Sequence, residues 1–145
     1  MPRKSFQLSV ADFGHAIGHL SRRLRAHAAA HGLSLAEASV LARLSREGPA
    51  TTAGLARAEG MRPQSMGATV AALEQLALIE RRAHPTDGRQ QHIALTGKGV
   101  ALRKRLGHAK RTWLAHAIAR LDERERDTLF AAGALIERLL AEDAP

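Results

Sequence analysis

One stretch, 50–95, constrains the fold of this 145-residue chain more than any other. It opens with two short segments of helical apolar spacing, which are separated by the breaker sequence Gly60-Met61-Arg62-Pro63. Two runs of β character follow, 78–84 and 90–95, and the turn between them contains Asp87-Gly88. The stretch therefore predicts a helix, a tight turn, a second helix and an antiparallel hairpin, in that order.

The second of these helices has an apolar and a polar side. Proline is tolerated at a first helical position, so this helix is expected to begin at Pro63. At about 100° per residue, one stripe carries Met66, Val70, Leu73 and Ala77, and the other side carries Gln64, Ser65, Ala68 and Ala72, with Thr69 at its edge. A small polar face suits a DNA major groove, where amides pair with bases and methyl groups contact thymine. A solvated face of small residues is the alternative interpretation.

The hairpin is basic, and its cations are Arg81, Arg82, His84 and Arg89. Arg89 follows the turn and is placed to enter a minor groove, whose negative potential attracts arginine. Asp87 is expected to hold its guanidinium. A surface salt bridge at the hairpin tip, which contributes little stability, is the alternative. In the second strand Gln91, Ile93 and Leu95 alternate with His92 and Ala94, the period of a half-buried strand.

This order of elements is that of a winged helix-turn-helix, a DNA-binding module. The motifs LAxxxG (55–60), SMxxTVxxLExxxLIxR (65–81) and DGRxxxIxLTxxG (87–99) resemble the MarR family of bacterial transcription regulators. There are two departures: Ala77 stands where many members have Gly, and Arg62 stands where Ser or Thr usually caps the recognition helix. The resemblance implies a homodimer joined by the first, fifth and sixth helices, with a cleft for aromatic or phenolic acids.

The expected partner is duplex DNA. The residues expected to contact it lie at the start of the third helix, in and just before the recognition helix, and in the hairpin. They are Thr52, Arg62, Gln64, Ser65, Ala68, Thr69, Arg82, Asp87 and Arg89.

Composition supports a polyanionic partner. Lys and Arg number 22 against 14 Asp and Glu, a formal net charge of +8. With three Phe and one Trp there are few rings to stack on single-stranded bases, so duplex DNA is favoured. The chain contains no Cys, which excludes disulfides, thiol switches and cysteine zinc sites. No run is long enough to span a bilayer, so a cytoplasmic protein without a membrane partner is expected.

Two helices are expected before the central stretch. A loose arm of residues 1–8 should lead to a capping-box pattern at Ser9, and the first helix should end at Gly32. A second box at Ser34 should open a helix that ends at Gly48-Pro49. The residues that this second helix is expected to bury are Leu35, Ala38, Leu41 and Leu44.

Two more helices are expected after the hairpin. Thr96 should cap a long helix, and Asp122-Glu123-Arg124-Glu125 should open the last one. In the long helix a near-heptad spacing relates Val100, Arg103, Leu106, Lys110, Trp113, Ala117 and Leu121. The apolar residues of the last helix are Leu129, Ala132, Leu135, Ile136, Leu139 and Leu140.

The predicted fold class is mainly α (α+β), a winged helix-turn-helix with long N- and C-terminal dimerisation helices. A single domain spans 1–145, in which 34–95 bind DNA and 9–32 and 96–142 form the dimerisation helices. Three terminal apolar stripes need more cover than one small module supplies, so a second copy of the chain is expected.

Metal and catalytic chemistry are not expected. His15 and His19 have the i, i+4 spacing that can chelate a metal, as have His27 and His31, but the two pairs point in different directions around the helix. Gly97-Lys98-Gly99 is too short for a phosphate-binding loop, and no Ser, His and Asp set stands out. No enzyme, cofactor or metal site is therefore predicted.

A small aromatic or phenolic effector is the remaining possible partner. The residues expected to wall its site are His19, Arg23, His27, Arg43 and Trp113. The alternative is that the arginines are solvated, His27 lies in an interface and Trp113 lies in the core. The function predicted is a dimeric, sequence-specific, ligand-responsive repressor acting on a pseudo-palindromic operator. The alternatives are a non-specific architectural DNA-binding protein and a metal-responsive regulator.

Overall fold

The computed structural model describes residues 5–142. Its helices and strands are α1 (Phe6–Ala29), α2 (Leu35–Glu47), α3 (Thr52–Ala58), α4 (Pro63–Gln75), β1 (Ile79–Ala83), β2 (Gln91–Leu95), α5 (Gly97–Ala119) and α6 (Glu123–Glu142). The chain divides into two compact units, one ending at His108 and the other beginning at Ala109. The predicted fold class, mainly α with a small antiparallel wing, is confirmed.

Side-chain caps set the starts of α2 and α6 as predicted. Ser34 Oγ accepts from the backbone N–H of Glu37 at 3.1 Å, and the Glu37 carboxylate accepts from the N–H of Ser34. Asp122 and Glu125 form the same reciprocal box at α6, with bonds of 2.9 and 3.0 Å. Each box satisfies backbone donors that a helix start leaves without an intrahelical acceptor.

The start predicted for the first helix is wrong. Ser5 Oγ accepts from the backbone N–H of Leu8 at 3.3 Å, so α1 begins at Phe6 and Ser9 lies inside it. Ser5 supplies the same kind of cap one turn earlier, and the helical pattern continues back to it. Residues 1–4 of the predicted arm lie outside the described residues.

Four of the described helices are followed by a residue with positive φ, and the residue after α2 is Gly48, with φ +86°. Gly32 has φ +76° after α1 and Gly60 has φ +61° after α3, whereas after α4 the position is taken by Ala77, with φ +57°. The N–H of Leu78 then donates to the carbonyl of Leu73 at 3.1 Å, which closes α4. Ala77 thus lies beyond the helix and not on its buried stripe. The conformation costs a residue with Cβ about 1–2 kcal/mol, which explains why glycine suits this position.

The core lies between α2, α3, α4 and the base of the wing. Its largest fully buried side chains are Val40, Leu41, Leu55, Met66, Val70, Leu73, Ile93 and Leu106. Met66, Val70 and Leu73 were predicted as the buried stripe of α4, and they are fully buried. The opposite side of α4 is therefore left for solvent or a ligand.

One detail of the predicted core is wrong. Leu35 is 58% exposed and Val40 takes the inward place on α2. Leu35 stands about 180° around the helix from the buried Leu44, so one stripe cannot hold both. On α5, Leu102 and Leu106 are buried, and Val100 is 40% exposed.

The wing is an antiparallel pair whose base is tied to the chain before α3. Ile79 pairs with Leu95 at the base. The N–H of Ala50 donates to the carbonyl of Ile93 at 3.1 Å, and the N–H of Ile93 donates back at 2.7 Å. Ile93 is buried as predicted, but Ala94 is buried too, so the predicted alternation holds only in part.

Large apolar side chains lie exposed on α1 and α6. On α1 they are Phe6, Leu8, Val10, Phe13 and Leu20, and on α6 they are Leu129, Phe130, Leu135, Leu139 and Leu140. Among the described residues of α6 none is buried. Within residues 5–142, no helix is long and apolar enough to cross a membrane.

Close backbone contact fixes the start of α5. A Cβ on Gly99 would overlap the carbonyl oxygen of Leu78, so this position requires glycine. Thr96 Oγ1 accepts from the N–H of Gly99 at 3.1 Å, the predicted cap, and donates to the carbonyl of Ala77 at 2.6 Å. The segment that ends α4 and the segment that begins α5 are thus held together by backbone contact.

We expect Gly99→Ala to lower the free energy of unfolding by about 1–3 kcal/mol or more, because the added methyl overlaps backbone that cannot move freely. Gly97→Ala is the matched control, since its added Cβ meets no atom within 4 Å. Urea denaturation measures both. Equal changes in the two variants would contradict the packing described for Gly99.

Candidate nucleic-acid interface

The recognition helix, α4, presents its polar side to solvent. Gln64, Ser65 and Ala68 are exposed, and Thr69 is half-buried with its hydroxyl donating to the carbonyl of Ser65 at 3.1 Å. The exposed side chains are short, so a groove of matching width can approach the helix backbone closely. This is the geometry that the sequence predicted for the N-terminal end of α4.

Arg62 occupies the N-cap position of the recognition helix. Its side chain makes no capping hydrogen bond, and Pro63 follows at the first helical position. The side chain is exposed. An arginine at the N-cap lacks the stabilising hydrogen bond of a Ser or Thr cap. It places a long cation at the N-terminal end of α4, where the polar side of the helix is exposed.

The turn of the wing is built by Asp87. Its carboxylate accepts from the backbone N–H of Arg89 at 3.0 Å, and the N–H of Gln90 donates to the carbonyl of Asp87 at 3.1 Å. Asp87 was expected to hold the guanidinium of Arg89, but its carboxylate accepts from the backbone N–H of Arg89 instead. The Arg89 side chain is exposed.

A polar groove of about 500 Å³ runs between the start of α3 and one face of the wing. Its lining residues are Thr51, Thr52, Ala53, Arg57, Arg81, Arg89, Gln90 and Gln91. It brings together Thr52 and Arg89, which the sequence predicted as DNA contacts. Arg57 and Arg81 join them, and the Arg81 guanidinium is held by Glu74 at 3.0 Å. A groove lined by three arginines is suited to binding phosphate groups.

Neither Arg57 nor Arg81 was predicted from the sequence as a DNA contact. The signal for Arg57 was its place on α3, two residues from the buried Leu55. The signal for Arg81 was strand alternation, which puts it on the opposite face from Arg82. Arg82, which was predicted, does not line the groove, and it is bonded to Glu80 on its own strand.

Arg43, predicted for the effector site, joins α2 to the end of α3. Its Nε donates to Glu59 at 2.6 Å, its Nη1 to Glu47 at 2.8 Å and its Nη2 to the carbonyl of Ala58 at 3.3 Å. Ser39 Oγ also donates to Glu59, at 2.7 Å. The guanidinium is thus already bound in the structure. A role for Arg43 in effector binding stays a prediction.

The charges of this pair stabilise each other. The hydrogen bond to Glu59 raises the pKa of Arg43 above its ordinary value. Burial alone would raise the pKa of Glu59, but the hydrogen bonds from Arg43 and Ser39 outweigh it, and the pKa of Glu59 is lowered. The carboxylate is therefore the form that the fold favours.

The other effector residues predicted on α1 do not line the neighbouring cavity. A cavity of about 300 Å³ between α1 and α2 is lined by Arg22, Arg25, Ala26, Ala28, Ala29, Leu33, Ser34, Leu35 and Ala38, which leaves out His19, Arg23 and His27. The rings of His15 and His19 contact each other, with centroids 4.4 Å apart. In the described part of the chain, no three His, Cys, Asp or Glu residues form a group that could hold a metal ion.

An exposed polar recognition helix beside an arginine-lined wing defines a winged helix-turn-helix DNA-binding protein. Residues 31–90 match the model of the MarR family. The chain is 36% identical over 133 residues to the uncharacterized HTH-type transcriptional regulator Mb0904 of Mycobacterium bovis, covering 92% of this chain and 93% of that one. It belongs to the MarR family of transcriptional regulators.

Two further comparisons agree. The HTH-type transcriptional repressor Rv2887 of Mycobacterium tuberculosis is 36% identical over 90 residues, which cover 62% of this chain and 65% of the relative. The crystal structure of a putative transcriptional regulator from Pseudomonas aeruginosa aligns with a TM-score of 0.82 at 31% identity, covering 96% of this chain and 98% of that one. These relatives are named as regulators of transcription, which are not enzymes.

We expect Glu59→Gln to lower the free energy of unfolding at pH 7 by about 1–3 kcal/mol, because Arg43 loses its charged acceptor. The pKa of Glu59 is lowered on folding, so its contribution is present above the ordinary value of 4.5 and is lost as pH falls below it. The variant should therefore show a shallower loss of stability below that pH than the unaltered protein.

Glu47→Gln is the control, because Glu47 bonds the same guanidinium but is half exposed. It should change the free energy by no more than about 0.5 kcal/mol. Denaturant titrations between pH 3 and pH 7 measure both. Coincident curves for the two variants would show that the Glu59 bond does not hold α2 to α3.

Proposed function

We propose that this protein is a homodimeric repressor that recognises a pseudo-palindromic operator by placing α4 in the major groove of each half-site. The observation that carries the proposal is the two-sided character of α4. One side of α4 is fully buried in the core through Met66, Val70 and Leu73. The other side exposes Gln64 and Ser65 at its N-terminal end. An amide and a hydroxyl at that end suit the edges of bases, which present donors and acceptors in the major groove.

In this proposal the wing and the start of α3 contact the backbone beside the recognition helix. Arg89, exposed at the end of the wing turn, enters the minor groove, where negative potential is greatest. Thr52, Arg57 and Arg81 line the adjacent groove and bind phosphates. Arg62, at the N-cap of α4, contacts the DNA backbone beside the recognition helix. These contacts position the protein, and those of α4 supply most of the sequence preference.

The dimer is proposed from the exposed apolar sides of α1 and α6. Phe6 is 82% exposed, and Phe130 and Leu140 are 60% and 63% exposed. Apolar surface of this extent on terminal helices is favourable to bury, and a second copy offers the same surface by two-fold symmetry. We accordingly assign 34–95 to DNA binding and 9–32 and 96–142 to dimerisation, within one domain of 145 residues.

Repression and its release complete the proposal. A relative, Rv2887, is named as a transcriptional repressor. The effector we propose is a small aromatic or phenolic acid, with His19, Arg23, His27, Arg43 and Trp113 as the residues to examine for its site. Such a ligand relieves repression if it binds the conformation with lower affinity for DNA more tightly than the other.

We expect Gln64→Ala to weaken binding to the operator by about 1–3 kcal/mol and to relax preference at one base pair of each half-site, since a base-edge hydrogen bond is lost. The operator is obtained by selection from a random duplex library. Affinity is then measured for single-base variants of the selected duplex. Unchanged preference at every base pair would remove Gln64 from the interface.

Arg89→Ala is expected to weaken binding to selected and scrambled duplexes alike, and to flatten the plot of log affinity against log salt by about one unit for each subunit in contact. The reason is that a phosphate or minor-groove cation is lost without a base-edge contact. Lys104→Ala, which removes an exposed cation on α5, is the matched control. If both variants leave affinity and salt slope unchanged, the wing does not contact DNA.

The double variant Leu135→Gln/Leu139→Gln should be monomeric at micromolar concentration, since it places amides in the apolar surface of α6. Glu137→Gln/Arg138→Gln on the same helix is the control and should remain dimeric. Sedimentation velocity gives the mass of each. A monomeric unaltered protein, or a dimeric Leu135/Leu139 variant, would contradict the assignment of α6 to the dimer.

A further inference from the structure

The turn of the wing is organised around the imidazole of His84. This residue follows β1 and is half-buried. Its Nδ1 accepts from the backbone N–H of Thr86 at 3.2 Å and from that of Asp87 at 3.1 Å. The Asp87 carboxylate then accepts from the backbone N–H of Arg89 at 3.0 Å. A continuous series of hydrogen bonds therefore connects the His84 ring to the backbone of the arginine at the wing tip.

These contacts specify the form of the imidazole. A ring nitrogen that accepts from two N–H groups must carry its lone pair, so the proton of the neutral ring lies on Nε2. Protonation of Nδ1 would remove the acceptor from both backbone N–H groups, although the Thr86 hydroxyl, 3.4 Å away, could still accept from the protonated ring. Histidine is the side chain whose charge ordinarily changes between pH 5 and 8. The hydrogen bonds of the turn thus depend on the neutral form of the His84 ring.

Other charged groups lie around this ring. On β2 the ring of His92 contacts it edge-on, with centroids 4.3 Å apart. His92 pairs with Arg82 across the strands, so Arg82, His84 and His92 share one face of the wing, where Glu80 is bonded to Arg82. In the turn itself the charged groups are Asp87, whose backbone N–H bonds Nδ1, and Arg89, whose backbone N–H bonds the Asp87 carboxylate.

We propose that neutral His84 is a positioning residue of the wing: its Nδ1 holds the turn that presents Arg89, and protonation releases that turn. The ordered turn binds one proton fewer than the released turn, so acidification favours the released turn. The consequence for operator binding rests on the role proposed above for the wing in DNA binding. The consequence for the free protein does not.

Substitutions can separate the acceptor from the ring that carries it. In His84→Asn the amide oxygen takes the approximate place of Nδ1 and accepts hydrogen bonds but cannot be protonated. In His84→Gln the amide lies near the place of Nε2, and no acceptor remains for the two backbone donors. His92→Gln removes the neighbouring ring and leaves the acceptor intact. A purely space-filling role for residue 84 does not distinguish Asn from Gln in this way.

The first measurement is made on the free protein by NMR. At pH 8 we expect the ¹⁵N shifts of His84 to show the Nε2–H tautomer, and we expect Thr86, Asp87 and Arg89 amides to have the heteronuclear NOE of an ordered turn. At pH 5 the NOE should fall in the unaltered protein and in His92→Gln. It should stay high in His84→Asn and be low at both pH values in His84→Gln. An Nδ1–H tautomer, or an ordered turn in His84→Gln, would overturn the proposal.

The second measurement is affinity for the selected duplex at pH 8 and pH 5.5, in the unaltered protein and in His84→Asn. Loss of hydrogen bonds to the turn should lower the affinity of the unaltered protein, divided by that of His84→Asn, about 2- to 10-fold between pH 8 and pH 5.5. The division cancels the contribution of the other histidines, which both proteins contain. Equal pH profiles would refute the link to binding. If the unaltered protein prefers no duplex at any pH, the proposed function fails while the NMR result still decides the role of His84.

Discussion

The two hydrogen bonds between Ala50 and Ile93 determine how the DNA-binding elements are arranged. They join the chain that enters α3 to the middle of β2, so the wing is attached to the helix-turn-helix by backbone as well as by side chains. Ile93 and Leu55 are both fully buried. The arginine-lined groove between α3 and the wing exists because these two segments are held side by side.

Contacts between segments also fix the end of α4 and the position of α2. Gly99 lies against the backbone of Leu78, and the Thr96 hydroxyl bonds the carbonyl of Ala77, so the end of α4 is fixed from outside. Arg43 and Glu59 hold α2 against the end of α3. The recognition helix is consequently constrained at its buried stripe and at its C-terminal end, and its exposed N-terminal end is left to meet a ligand. A rigid helix with one open end is suited to sequence-specific contact, because little conformational entropy remains to be lost on binding.

Much of this arrangement follows from local sequence patterns, and the errors have physical reasons. Capping pairs such as Ser34 with Glu37 act over three residues, so their sequence predicts the structure directly. The predicted start at Ser9 was wrong because Ser5 offers an equally good cap one turn earlier. Leu35 was expected inside, since apolar character alone does not say which of two helical faces the neighbours cover. Contacts between distant segments, such as those of Ala50, leave no periodic trace in the chain.

The recognition helix was predictable because its buried and exposed sides differ in composition, whereas the roles of Asp87 and Arg57 depend on how the turn and α3 are placed. The central claim is that this surface recognises particular base pairs. It is tested most directly by competition at fixed moderate salt between a duplex selected from a random library and a scrambled duplex of the same composition. Specific recognition predicts a preference of at least about 10³-fold for the selected duplex. Equal affinity for the two would contradict the account and identify an architectural protein that binds DNA through charge alone.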